Sequence, residues 1–518
     1  MTARRPDAKT GRKRGPSPDA TAPPKPAVSL SGARSRQASL NDNNDVEWQP
    51  NLKRQIEIAA LFALSFLTTQ FIQHQRYLWL LPVAVALLVY GFRRPRDLLI
   101  LALVLSSLDV GLTGDLDNHI PVIFSISDVL LLMALPGAMV RLYRRPDIWK
   151  LGGMGLPMLC YLVAGLLSFF VNLAVMGSHS LGYFGGWIRN AQLVLVAPLM
   201  YASFEWRWAD LRATLRGYLL CSALIAIWGL VVFWQGMREG LYILGIHKNV
   251  LGLALALAAL IALVACLPPA RRERFADRLN NLLNVPAPLL FGVFGVCLLA
   301  LVCSLSRGSL LSLVGGFLFV CVVWRKPALF AALLLLTGAV IYGVRQTLPL
   351  ESREYTTNFS TRSASIGERL GMFQISAARF RARPLLGDGF RIRREIIPHN
   401  MAAMVLAENG LIGFVCMVWG MFAQFRLLRR SYRAFAHAPL LQSFVAIVSV
   451  CAVALLINGQ VEPYWRRGPL LLAWAGTGIV CSLLLRHERE AAEIRAAEAA
   501  ASSRQDAPVE TLELPAPL

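Results

Sequence analysis

The chain has 518 residues, 56% of them hydrophobic and 16% charged, with a mean hydropathy of +0.51 and a formal net charge of +21. A water-soluble chain of this length exposes far more charge, so the composition excludes a soluble globular enzyme and points to a polytopic helical membrane protein. All nine cysteines lie inside apolar runs, which argues against a disulfide framework and a cysteine-based metal site.

Residues 1–54 form a basic tail rich in Pro, Ser, Arg and Lys, without an apolar h-region, and read as disordered. Fourteen apolar runs follow as candidate spans: 55–72, 77–91, 97–112, 122–140, 153–176, 187–204, 212–235, 249–267, 286–304, 308–324, 328–346, 401–425, 440–458 and 468–485. Between Leu289 and Trp324 the only charge is Arg307. That stretch is too long for one span, so it reads as a helical hairpin with Arg307 at its tip.

Lys and Arg set the orientation. With the N-terminus cytoplasmic, most of the 52 fall in inside segments, including Arg93/Arg94/Arg96, Arg271/Arg272/Arg274/Arg278 and Arg426/Arg429/Arg430/Arg433. The even span number and the charge bias agree, so both tails, 1–54 and 487–518, are expected in the cytoplasm. The net charge is then a topology signal plus attraction to anionic lipid, and no nucleic acid is implied.

One segment departs from this bias. Residues 347–398, between spans 1–11 (55–346) and spans 12–14 (399–486), face outward yet hold nine Arg and no Lys, against five carboxylates. Long loops translocate despite their charge. The choice of arginine suits planar, bidentate binding of phosphate or carboxylate. Within the loop, Ile366 to Arg381 has helical spacing, with Leu370, Phe373, Ala377 and Phe380 as an apolar stripe, which suits a helix lying on a membrane surface. Pro384 ends it, and Gly387-Asp388-Gly389 supplies a turn.

Residues 300–420 resemble the O-antigen ligase and polysaccharide polymerase superfamily of bacterial membrane glycosyltransferases. The resemblance is carried by Ser306-Arg307-Gly308, by Glu368-Arg369 through Pro384-Leu385-Leu386-Gly387-Asp388-Gly389-Phe390, by His399-Asn400, and by Glu408-Asn409-Gly410-Leu411-Ile412-Gly413. Phe373 and Asp388 stand where the family often has Trp and Val. The resemblance implies an all-α protein of about 12–14 transmembrane helices in the bacterial inner membrane, with one large periplasmic loop containing an amphipathic helix. It implies transfer of a glycan from an undecaprenyl-diphosphate carrier to an acceptor hydroxyl at the periplasmic face, with diphosphate as leaving group and without a metal or other cofactor. The acceptor would be lipid A-core for a ligase, the favoured reading, or a growing glycan for a polymerase.

The chemistry-bearing residues follow. His399 precedes Asn400, a plausible N-cap of the twelfth span, and can accept a proton from, or orient, an acceptor hydroxyl. Arg307 can stabilise charge on the leaving diphosphate. Arg189, near the outer end of the sixth span, Lys248 and Arg369 are further candidate diphosphate contacts. Glu408 lies about 13 Å down the helix from His399 and reads first as a structural partner, then as a base. A transporter of anionic lipid is the competing class. Such proteins show internal repeats and broken helices in both halves, neither of which is evident here.

Overall fold

The structure is a computed structural model that describes residues 80–108, 125–176, 184–235, 248–267, 282–348, 359–389, 398–462 and 468–505. The expected span 55–72 and the basic tail 1–54 lie outside these. The chain divides into a main unit, residues 59–493, and a small one formed by 1–58 and 494–518, of which the described part is the end of the last helix.

Every regular element described is helical. In order they are α1 (Leu80–Arg93), α2 (Pro95–Leu105), α3 (Ile126–Arg144), a 3-10 segment (Pro146–Gly153), α4 (Gly155–Met176), α5 (Phe184–Ala191), a π segment (Gln192–Val196) and α6 (Ala197–Ala202). Then come α7 (Trp208–Trp234), α8 (Lys248–Cys266), α9 (Ala287–Cys303), α10 (Arg307–Val323), α11 (Pro327–Thr347), α12 (Phe359–Ala382), α13 (Met401–Ala434), α14 (Pro439–Gly459) and α15 (Leu470–Gln505).

Eight of these are long and apolar enough to cross a membrane: α3, α4, α7, α8, α11, α13, α14 and α15. Of the other expected spans, 55–72 lies outside the described residues and 77–91 is described only from Leu80, and the remaining differences have local causes. The run 97–112 yields an 11-residue helix, α2, about 16 Å long at 1.5 Å per residue, against about 30 Å of hydrocarbon. The run 187–204 is divided into α5, the π segment and α6; Pro198 lacks an N–H and crowds the turn before it, which favours the wider turn upstream. Helices α9 and α10 have 17 residues each and form the expected hairpin, joined by Ser304–Ser306, with Leu305 at φ 56°.

Helix α8 is the centre of the bundle. Val250 through Ala265 are all buried, and the alternation of Leu with Ala lets α7, α9, α10 and α14 approach closely. Both arms of the hairpin pack more on α8 than on each other. At the periphery, α11 is mostly exposed, with Leu335 and Tyr342 turned outward as expected for lipid-facing side chains. The run 401–425 is longer than expected and is not one helix. Gly410, at φ 62° and ψ −167°, divides α13 into Met401–Asn409 and Leu411–Ala434.

Candidate functional site

The site assembles around a residue that the sequence reading did not single out, Glu462, which follows α14 and is buried. Asn249, in the first turn of α8, donates from Nδ2 to Glu462 Oε2 at 2.9 Å. His399 Nδ1 faces the same oxygen at 3.6 Å, too long for a hydrogen bond. Arg369 Nη2, on α12, lies 3.8 Å from Glu462 Oε1. Gly308, in the first turn of α10, packs so closely that a Cβ there would stand 2.7 Å from Glu462 Cγ. A side chain at position 308 would push the carboxylate away.

Three helix N-termini therefore converge on one carboxylate: α8 at Lys248, α10 at Arg307 and α13 at Asn400. Each N-terminus carries partial positive charge and N–H groups without intrahelical partners. Asn400 is the N-cap of α13, its Oδ1 accepting from Ala403 N at 2.9 Å, and its Nδ2 donates to Gln460 O at 3.2 Å. This ties the start of α13 to the end of α14 and fixes His399 just ahead of the helix. The α10 terminus is pinned to α8 by serines: Ser306 and Ser309 share a hydrogen bond of 2.8 Å, and Ser309 Oγ donates to Asn249 O at 3.1 Å. Arg307 is exposed at this rim, and Lys248 is half-buried beside Asn249. The structure thus brings His399, Asn400, Arg307, Lys248 and Arg369 into one neighbourhood.

The face of α12 turned to the protein is polar. Arg369, Ser376, Arg379 and Arg383 recur at helical spacing, and Ser376 is fully buried, while Leu370 and Phe373 are exposed. The helix spans Phe359–Ala382, starting seven residues before the expected Ile366. Arg383 Nη1 donates to Asn172 Oδ1 on α4 at 2.7 Å and lies 3.3 Å from Asp388 Oδ1.

The loop after α12 closes the break in α13. Breaking a helix at Gly410 releases carbonyls before it and N–H groups after it, all of which need partners in a buried setting. Residues 384–389 supply them. Asp388 N and Gly389 N donate to the carbonyls of Ala407 and Glu408, each at 2.8 Å; Leu411 N and Ile412 N donate to Pro384 O at 2.8 Å and Leu385 O at 3.2 Å. Gly387 and Gly410 both have positive φ and sit where a Cβ would collide with the facing backbone. The Pro384–Gly389 and Glu408–Gly413 motifs are thus two halves of one backbone lock. Glu408 is fully buried within it, and its carbonyl also accepts from Ser168 Oγ at 2.8 Å.

Arg189 belongs to a second polar cluster. It is buried and paired with Asp128 at 3.2 Å; Asp128 also closes a capping box with Ser125 at the start of α3, and Gln192 Nε2 donates to the Asp128 carbonyl at 3.0 Å.

Apolar helices of this length and number among the described residues mark a multi-pass membrane protein. Residues 292–418 match a family model described as O-antigen ligase, which supports the resemblance of this segment to the O-antigen ligase and polymerase superfamily. No curated protein matches the chain.

Proposed function

We propose that the chain transfers a glycan from an undecaprenyl-diphosphate carrier to an acceptor hydroxyl, with lipid A-core as acceptor, at the periplasmic face of the bacterial inner membrane. The observation that carries this reading is the convergence on Glu462 of three helix N-termini with Lys248, Arg307 and Arg369. Such a constellation suits a multiply charged anion. The acceptor oxygen attacks the anomeric carbon, the carbon–oxygen bond to diphosphate breaks, and the electron pair leaves on the diphosphate. His399 takes the hydroxyl proton or orients the attacking oxygen. Arg307, Lys248 and Arg369 hold the diphosphate and stabilise its growing charge.

Glu462 is a positioning residue in this scheme. Its carboxylate accepts from Asn249 at the α8 terminus, its stem packs on Gly308 of α10, and His399 and Arg369 stand beside it. Asn400 sets the start of α13, and Glu408 supports the backbone lock. Arg189 acts through its pair with Asp128 by keeping α3 and α5 in register. The displacement as written consumes no cofactor, and the family resemblance supports a reaction without metal.

The experiment is transfer in proteoliposomes containing carrier-linked glycan and lipid A-core. Formation of the glycosylated acceptor by the parent chain supports the reading. A product extended on the carrier itself would move it to a polymerase, and passage of carrier between leaflets without a glycosidic bond would move it to a transporter.

A further inference from the structure

The outward face of α13 changes character along its length. Val415, Trp419 and Phe422 are exposed, at spacings of four and three residues. The next positions in the same row are Arg426, Arg429, Arg430 and Arg433, also exposed. At 3.6 residues per turn all seven fall on one side of the helix. The four arginines line an open cleft of about 340 Å³. Among the described residues, Arg430 pairs with Glu488 Oε1 on α15 at 2.7 Å, and no carboxylate pairs with Arg426, Arg429 or Arg433.

Like charges three and four residues apart destabilise a helix unless an anion lies between them. A lipid-facing apolar strip that runs directly into such a cleft has the outline of a phospholipid, with acyl chains along the strip and a phosphate among guanidinium groups. The row contains arginine and no lysine, which suits bidentate capture of phosphate oxygens. We propose that this face of α13 is a binding site for an anionic phospholipid, its acyl chains along Val415, Trp419 and Phe422 and its phosphate held by Arg426, Arg429 and Arg433 with Arg430. Arg426 lies fourteen residues, about 21 Å of helix, beyond Ile412 and the backbone lock. The site is therefore separate from the Glu462 cluster and independent of the transfer reaction.

The test is native mass spectrometry of the full-length protein, titrated with phosphatidylglycerol and, in a parallel arm, with phosphatidylcholine. The parent should retain phosphatidylglycerol at least tenfold more strongly. The triple variant R426Q/R429Q/R433Q, which leaves Arg430 with Glu488, should lose that retention on the order of 100-fold. Phosphatidylglycerol should raise the Tm of the parent and not that of the triple variant. Should the triple variant fail to fold, R426Q alone, with an expected loss of about fivefold, decides the same point. Equal retention of the two lipids, or phosphatidylglycerol retention unchanged by the Gln substitutions, would overturn the proposal. Displacement of the lipid by inorganic phosphate at matching concentration would also overturn it, in favour of a free-anion site.

Discussion

Asp128 and Glu462 are both buried carboxylates that meet an arginine, yet their surroundings differ. In the Asp128–Arg189 pair the two side chains are 2% and 9% exposed, and the carboxylate also completes a helix cap. Around Glu462 only the carboxylate is enclosed, at 5%, whereas Arg369 is 45% and His399 27% exposed. The contacts lengthen accordingly, from 3.2 Å at Arg189 to 3.6 Å and 3.8 Å at Glu462. A carboxylate enclosed with its cation is satisfied and serves packing. A carboxylate enclosed while its cations stay open holds several elements together and leaves their donors available to a ligand.

Substitutions can break this comparison, and the largest effect is expected at the open cluster. His399→Ala should lower glycan transfer by roughly 10²–10⁴ with little change in thermal stability, since general base catalysis contributes that much. Arg307→Lys should recover little of the activity lost in Arg307→Ala, because an ammonium cannot reproduce the guanidinium fork. Full activity in Arg307→Ala, inserted at normal levels, would remove Arg307 from the site.

At the closed pair the readout should be stability. Asp128→Asn keeps an acceptor for the α3 cap and removes the charge opposite Arg189, which should cost about 3–5 kcal/mol. The double variant D128N/R189Q should regain part of that loss in a thermal unfolding assay. A stable Asp128→Asn protein that has lost only donor affinity would instead make Arg189 a ligand contact.

Glu462→Gln sharpens the contrast from the other side. The amide can still accept from Asn249, so folding should hold, while loosened placement of His399 and Arg369 should slow transfer by about 10²-fold. Glu462→Asp, shorter by one methylene, should recover part of the rate, and a Gln variant that unfolded as readily as Asp128→Asn would erase the distinction. The smallest expected effect is none: a chelator should leave the transfer rate unchanged, and strict dependence on an added divalent ion would contradict the metal-free scheme.

Much of this arrangement was legible from the sequence because it is local. Arg307 as the lone charge in a long apolar stretch marked the hairpin turn, Asn400 before an apolar run marked a cap, and Pro384 marked the end of α12. The break at Gly410 was not legible. A glycine inside an apolar run is compatible with an unbroken helix, and what stabilises the break is a set of hydrogen bonds from residues 384–389, more than twenty positions earlier. Glu462 was hidden for a related reason: its partners lie on α8, α10, α12 and the approach to α13. One signal pointed to it, since it is the only Asp or Glu between Glu408 and Glu488. Where described helices fall short of the expected spans, apolarity had been read without length, as at α2 and at the π segment.

The central claim is that the open cluster is where a glycosidic bond is made. It is tested most directly by comparing the parent and His399→Ala in proteoliposomes with carrier-linked glycan and lipid A-core, scored by release of free carrier diphosphate together with formation of the glycosylated acceptor. The parent should yield the two products in equal amounts, and His399→Ala should yield at least about 10²-fold less of both while still binding the donor. Transfer by His399→Ala at the parental rate would contradict the assignment.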